Sequence, residues 1–424
     1  MSTTWMPGKI SARDYYIVFG VALLFRLGLF FCCTWENEII DDYDRIAVNI
    51  VEGHGFSFDG LQPTVCRPPA YPAYLACQLV LFGHDPFPYT FLRLTDILLS
   101  SITSLLVVRL ASSWLPGRKS GAIGAGLLYA VNPFAAYYAI KIGAETMSIF
   151  FLVLFMILLH RTFLEERKSY GDILLLGLTG GVLLLSKSLF LPLIALGYAL
   201  LFILYRQVPM KSRLGRPLAA LFISLAVLSP WTVRNFSVSG QFVPIQTLSG
   251  FNFWLDFSVN NHRMQRIASG NLQGVDTTSM IMMSDGTLYA PYAMAPGVDA
   301  AYDRRLLHEA SAWALANPGK LALKVLDNFI AFWYEVGTVK NMVVCGLFSI
   351  LLLCIAYWGC KVHPHEHVQA KLLFVFVIVG IDLLYAPGLA VFRYSVLTYP
   401  YLSVLGGAAV GPFLAMKHTP GISD

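Results

Sequence analysis

Residues 38–74 read E-I-I-D-D-Y-D-R-I-A-V-N-I-V-E-G-H-G-F-S-F-D-G-L-Q-P-T-V-C-R-P-P-A-Y-P-A-Y. The stretch lies between an apolar run that ends near Thr34 and the next long apolar segment. It places Glu38, Asp41, Asp42 and Asp44 beside hydrocarbon, where a carboxylate costs free energy unless it has a task. On a helix starting there, Asp41 and Asp44 would share a face, as would Asp41 and Arg45. One Asp at such a point is an ordinary helix cap. Three in four positions, with Glu38 ahead of them, exceed what a cap needs. They read as the floor of an active site, with Asp41 and Asp42 as the candidate catalytic carboxylates and as general base or cation ligand. The stretch closes on Arg67-Pro68-Pro69, whose prolines fix the backbone. A guanidinium held that way suits a phosphate oxygen, or an ion pair with the same acids.

Composition fixes the solvent. The chain of 424 residues is 56% hydrophobic and 13% charged, with a mean hydropathy of +0.62. Soluble domains carry about 25% charge, so this is an integral membrane protein. The net charge of +5 reads as topology, and no basic run with interleaved aromatics points to nucleic acid. Seven cysteines, with no C-x-x-C, argue against a disulfide framework or a redox motif.

The apolar runs predict an all-α polytopic fold of about ten transmembrane helices. They lie near 15–34, 88–114, 120–139, 145–161, 172–188, 189–205, 217–232, 341–360, 371–386 and 395–416. Two amphipathic segments, 71–82 and 321–333, are expected to lie along the surface. Small residues in the third run, Gly121, Ala122 and Gly126, allow close helix approach. Three regions follow: an N-terminal membrane module, 1–234, with its first outer loop at 35–87; a loop-rich outer segment, 235–338; and C-terminal helices, 339–424. Lys and Arg gather at the N-terminus and near 118, 161–168, 206–216, 361–371 and 417, which predicts cytoplasmic termini and loops there. The acidic loop and the 235–338 segment then share the outer face of an inner (cytoplasmic) membrane.

Arg93, Lys141, Lys187, Arg234 and Arg393 recur at outer span ends. Singly each is a snorkelling residue; together they form a basic rim for an anionic lipid headgroup. Arg26, inside the first span, needs a partner, with Asp96 or Glu145 in view. His54 and the run His363-Pro364-His365-Glu366-His367 have ligand-type side chains, but both read as incidental loop histidines.

Four groups of residues carry a resemblance. They are G-H-G-F at 53–56 with R-P-P-A-Y-P at 67–72, S-P-W-T-V-R-N at 229–235, P-I-Q-T-L-S-G-F-N-F-W at 244–254, and F-R-Y-S-V-L-T-Y-P at 392–400. With the acidic first loop, this order resembles the polytopic glycosyltransferases of the GT-C fold, relatives of protein O-mannosyltransferases and lipid A aminoarabinose transferases, over nearly the whole chain. The resemblance implies transfer of a sugar from a polyprenyl-phosphate donor to a lipid, glycan or protein acceptor outside the cytoplasmic membrane. It implies an essential first-loop Asp, falling on Asp41 or Asp42, and a donor phosphate met by Arg67. Many relatives carry that Asp four residues ahead of the loop Tyr; position 39 here is Ile. Arg67, Tyr71, Lys187, Arg234, Arg393 and Tyr394 make up the candidate substrate-binding set. A phosphate leaving group carries its own charge, so no cofactor is required, although the acidic loop has room for a divalent cation. The rival class is a lipid-linked sugar flippase or secondary transporter. Transporters keep their ionisable groups near the bilayer midplane, whereas here they concentrate at one face.

Overall fold

In the computed structural model, the residues described are 10–33, 39–116, 119–164, 169–257, 281–282, 288–289 and 296–415. Glu38 lies outside them, as does most of 258–295. Helices dominate, and among the described residues the one paired β segment is a two-residue antiparallel rung, Ile281 opposite Tyr289.

Helix α1, Ala12–Cys32, opens on a capping box: the Ser11 hydroxyl accepts from the Asp14 N–H, and Asp14 reaches back to the Ser11 N–H. The first loop then carries α2, Tyr43–Val51, and α3, Ala70–Phe82. Helices α4 (Tyr89–Trp114), α5 (Lys119–Ala130), α6 (Pro133–Ile140), α7 (Ala144–Leu164), α8 (Tyr170–Ser186), α9 (Phe190–Leu204) and α10 (Met210–Ser239) follow. After α11, Ser249–Phe257, come α12 (Pro296–Ala316), α13 (Pro318–Ala331), α14 (Val339–Val362), α15 (Val368–Tyr385), the short α16 (Phe392–Ser395) and α17 (Tyr399–Ala415).

Among the described residues six helices, α1, α4, α7, α10, α14 and α15, are long and apolar enough to cross a membrane, and the bent pair α5–α6, taken as one span, makes a seventh. The expected ten included α8 and α9, which are apolar but only 17 and 15 residues long. The third expected span is broken rather than continuous, bending by 49°. Pro133 has no N–H to donate, and the Asn132 side chain takes the N–H groups of Phe134 and Ala135, starting a new helix. Arg26 serves that break. Its guanidinium donates to the Ala130 carbonyl, the last of α5, and to Ser100 and the Ala22 carbonyl. The expected pairing with Asp96 or Glu145 is therefore corrected: the buried cation finds helix-end dipoles instead.

Lipid offers no hydrophobic drive between helices, so small residues set the close contacts. A Cβ on Gly407 of α17 would stand 2.3 Å from the Gly121 carbonyl of α5. Gly181 of α8 meets Val227 of α10 just as closely, 2.5 Å for an added Cβ. Segment 71–82 is α3, which turns one face inward through Tyr71, Leu75 and Leu79 and exposes Val80 and Leu81. In α13, Leu323, Leu326 and Ile330 are exposed while Asn328 and Ala331 are buried, the amphipathic pattern expected of 321–333.

Candidate active site

Helix direction brings the chemistry to one end of the bundle. α1 ends there and hands over to the first loop; α7 begins there with Glu145, α8 ends there at Lys187, and α16 starts there with Arg393. The loop is anchored by one parallel bridge, in which the Ile40 N–H donates to the Ile142 carbonyl at 2.9 Å.

The next two residues are strained. Asp41 and Asp42 have φ of +67° and +53°, a left-handed backbone rare outside glycine and more tolerated by Asp than by most residues. The α2 helix therefore begins only at Tyr43, and the shared face expected for Asp41 and Asp44 does not form. The two aspartates instead point to different places. Asp41 faces the bundle: Arg393 Nη2 lies 3.2 Å from Oδ2, and Arg67 Nη2 lies 3.7 Å from Oδ1. Arg67 Nε also donates to the Asp41 carbonyl at 3.2 Å, gripping both backbone and side chain. Asp42 faces outward, 3.9 Å from the exposed Arg45 one turn on. Burial pushes Asp41 up, but Arg393, Arg67 and Lys187 together outweigh it and hold its carboxyl at about 2. Burial pushes Asp44 up, with no such set of cations against it.

Glu145 completes the cluster and was absent from the expected site set. Its Oε1 takes Lys187 Nζ at 3.2 Å and Arg393 Nε at 3.5 Å, so Arg393 bridges two carboxylates. In the sequence Glu145 reads as an acid at a span start and as one of two candidate partners for Arg26. Its link to Asp41 runs through the Ile39–Ile142 bridge, which joins residues about a hundred positions apart. The ring of Tyr394 lies 4.9 Å from the Arg393 guanidinium and 5.5 Å from Lys187 Nζ, and its hydroxyl accepts from Arg393. Tyr385 stacks on Tyr394 at 4.0 Å.

Other expected residues stand apart from this cluster. Tyr71 is fully buried and meets Tyr43 edge to face at 5.1 Å, while the Arg67 guanidinium lies over Tyr43 at 5.6 Å. Tyr71 therefore supports the wall behind Arg67. Arg234 lies against Trp231 and Phe56 and donates to the carbonyls of Thr64 and Phe56. It ties α10 to the first loop. His54 faces Glu52 and Asn49 in an exposed turn. Among the described residues no group of three or more His, Cys, Asp or Glu is placed to hold a metal. Asp41 and Glu145 lie within ion-pair distance of three cations, Arg67, Lys187 and Arg393.

A family model described as dolichyl-phosphate-mannose-protein mannosyltransferase matches residues 66–233. No curated protein sequence matches the chain. Among solved structures, the archaeal oligosaccharyltransferase AglB from Archaeoglobus fulgidus, in complex with an inhibitory peptide and a dolichol-phosphate, superposes with a TM-score of 0.59 at 12% identity. That match covers 97% of this chain and 52% of AglB; the apo form gives 0.58 over the same shares. The chain thus spans about half the length of the AglB structures it matches. ArnT from Cupriavidus metallidurans bound to undecaprenyl phosphate gives 0.45 at 15% identity, covering 97% of this chain and 82% of ArnT.

Proposed function

We propose, for a multi-pass membrane chain with the GT-C fold, that it is a glycosyltransferase drawing its sugar from a polyprenyl-phosphate donor. The observation that carries this reading is the convergence, among the described residues, of three cations, Arg67, Arg393 and Lys187, on Asp41 and Glu145. Two guanidinium groups and an ammonium gathered at one end of a helical bundle suit an anionic headgroup whose tail remains in lipid. The dolichol-phosphate of the AglB complex supports a lipid phosphate as the anion. The matched family's description supports a sugar-phosphate lipid as donor.

The chemistry follows from the residues. The donor phosphodiester lies against Arg393 and Lys187, with Arg67 closing the side. The Asp41 carboxylate accepts the proton of an acceptor hydroxyl. The hydroxyl oxygen attacks the anomeric carbon, the bond from that carbon to the phosphate oxygen breaks, and its electron pair leaves with the lipid phosphate. The guanidinium groups stabilise the charge that develops there. One displacement inverts the anomeric centre. The acceptor is a hydroxyl of a lipid, glycan or protein. The basic residues at the far end of the bundle support an extracytoplasmic site.

The test is transfer of labelled sugar from polyprenyl-phosphate donors by purified protein in detergent, where a flippase yields no glycosylated product. Asp41→Asn is expected to lower kcat by about 10²–10⁴, the range of a lost general base. Asp42→Asn is expected to stay within about threefold of wild type, since an exposed i,i+3 ion pair contributes little. Equal loss in both variants, or transfer untouched by Asp41→Asn, overturns the assignment.

A further inference from the structure

The backbone of Arg67 is held from both sides. Downstream, Pro68 and Pro69 fix it. Upstream, the side chain next to it, Cys66, is buried, and its thiol donates to Asp299 Oδ2 at 2.8 Å. The Thr247 hydroxyl donates to the same oxygen at 2.7 Å, while the Thr247 N–H holds the Val65 carbonyl at 2.9 Å. Asp299 is itself buried and lies in the first turn of α12. One turn on, that helix is locked to α11. Asp303 Oδ1 accepts from the Phe251 N–H at 2.9 Å, and Gly250 lies so close to the Asp303 carbonyl that no Cβ would fit between them. Apolar contacts follow the same lines. Cys66 is buried with Leu248, Phe251 and Leu306, and Val65 with Val243 and Ala300.

We propose that Asp299 is a positioning residue for Arg67: acting through the Cys66 thiol, it sets where the guanidinium meets the donor phosphate, and so makes α12 part of the frame of the donor site. This rests on the transferase reading above. Arginine has a long side chain with several rotatable bonds, and its planar fork binds a phosphate oxygen well only when it is aimed. The far end of Arg67 meets Asp41, 3.7 Å away at Oδ1, and the Asp41 carbonyl at 3.2 Å. Those contacts define an aim only if the Cα from which the side chain springs is fixed too. Other anchors act further back: Arg234 holds the carbonyls of Phe56 and Thr64, and Thr247 that of Val65. The bond from Cys66 to Asp299 acts on the residue adjacent to Arg67. Hydrophobic packing is non-directional. A single oxygen shared by the Cys66 and Thr247 donors is directional, and it sets the distance between their two segments.

Binding of undecaprenyl phosphate and of dolichyl phosphate to the purified protein in detergent, without acceptor, tests this by a double-mutant cycle. Arg67→Ala is expected to weaken binding of the phosphate that wild type takes by about 10–100-fold, the loss of one charge-assisted contact. Asp299→Leu keeps the volume and removes the acceptor. It is expected to weaken binding at least about fivefold in wild type, but less than about twofold once Arg67 is Ala, because groups that act through one another do not add. Cys66→Val, a smaller change, is expected to show the same dependence on Arg67, so the cycle closes even if Asp299→Leu does not fold. Asp299→Asn and Cys66→Ser, which keep an acceptor and a donor, are expected to stay within about threefold of wild type. Losses that multiply in the cycle, no rescue by either conservative variant, or wild-type binding by Cys66→Val or Arg67→Ala overturns the positioning role. A wild type that binds neither lipid overturns it together with the transferase reading.

Discussion

Asp41 is a carboxylate held by three cations, and that sets what pH does to it. Its folded pKa, about 2, lies below the ordinary 3.8. Its ion pairs therefore stabilise the fold fully above about pH 4 and are lost as pH falls toward 2. The same depression makes a poor base in the resting enzyme. In the proposed reaction donor binding would change this: a phosphate engaging Arg393 and Lys187 would take away charges that hold Asp41 down, and its basicity would rise where the acceptor hydroxyl arrives. Glu145 couples the two events, because its single oxygen Oε1 faces both Lys187 and Arg393. With kcat/KM reporting the free enzyme, Asp41 contributes no acid limb above about pH 4. The measurement belongs in an Asp44→Asn background, since burial pushes Asp44 up and would add its own titration. A flat kcat/KM from pH 5 to 7 is expected; a unit-slope limb centred in that range and unmoved by Asp303→Asn, whose carboxyl burial lifts to about 6, would show that Asp41 is not held down as the geometry requires.

At the scale of elements, the motif at 229–235 works as a clasp. Trp231 donates to the Ile245 carbonyl at 2.7 Å and Thr232 to that of Pro244 at 2.8 Å. Asn235 donates to the carbonyls of Val243 and Ile245, and Arg234 reaches across to Phe56 and Thr64. One end of α10 thereby binds the 243–247 segment and the first loop together. The Thr247 N–H then holds the Val65 carbonyl, and buried Asp299 accepts from both Thr247 and Cys66. Arg67 follows immediately, so its aim depends on segments about 170 and 230 residues away. This separates two arginines that look alike in sequence. Arg234→Lys gives up a planar stack and a forked pair of carbonyl contacts, together about 2–3 kcal/mol. Its thermal midpoint is expected to drop by several degrees. Arg67→Lys is expected to leave the midpoint within about two degrees and to raise donor KM. An Arg234→Lys protein that melts like wild type but binds donor poorly would return Arg234 to the donor site.

Across the whole molecule, what composition controls was legible and what distance controls was not. Apolar runs locate helices to within a few residues because lipid imposes length and hydropathy on each span. The Asn132–Pro133 break was visible as a dipeptide, but its 49° bend and its Arg26 cap depend on α1 and α4 lying alongside. Asp41 and Asp42 were indistinguishable as neighbours; only two left-handed residues in succession send them to different partners. Glu145 carried no motif, since it joins the cluster only when the bundle closes around Arg393. The same scale decides sidedness. Lys119 pairs with Asp14 and Arg161 with Asp172, each at the helix end opposite the cluster, and Lys361 and Lys371 sit at that end of α14 and α15. Arg206, Lys211, Arg213 and Arg216, around the start of α10, add to that end, and such a bias in Lys and Arg is what orients a membrane protein. That supports the proposed position of the Asp41 loop outside the cell membrane. With exposed Cys32, Cys33, Cys77 and Cys354 replaced by Ser, Leu61→Cys, 87% exposed, is expected to react with a membrane-impermeant maleimide in intact cells. His365→Cys, exposed at the far end, is expected to react only after the membrane is opened. The reverse pattern would put the carboxylates in the cytosol and remove the extracytoplasmic acceptor from the proposed reaction.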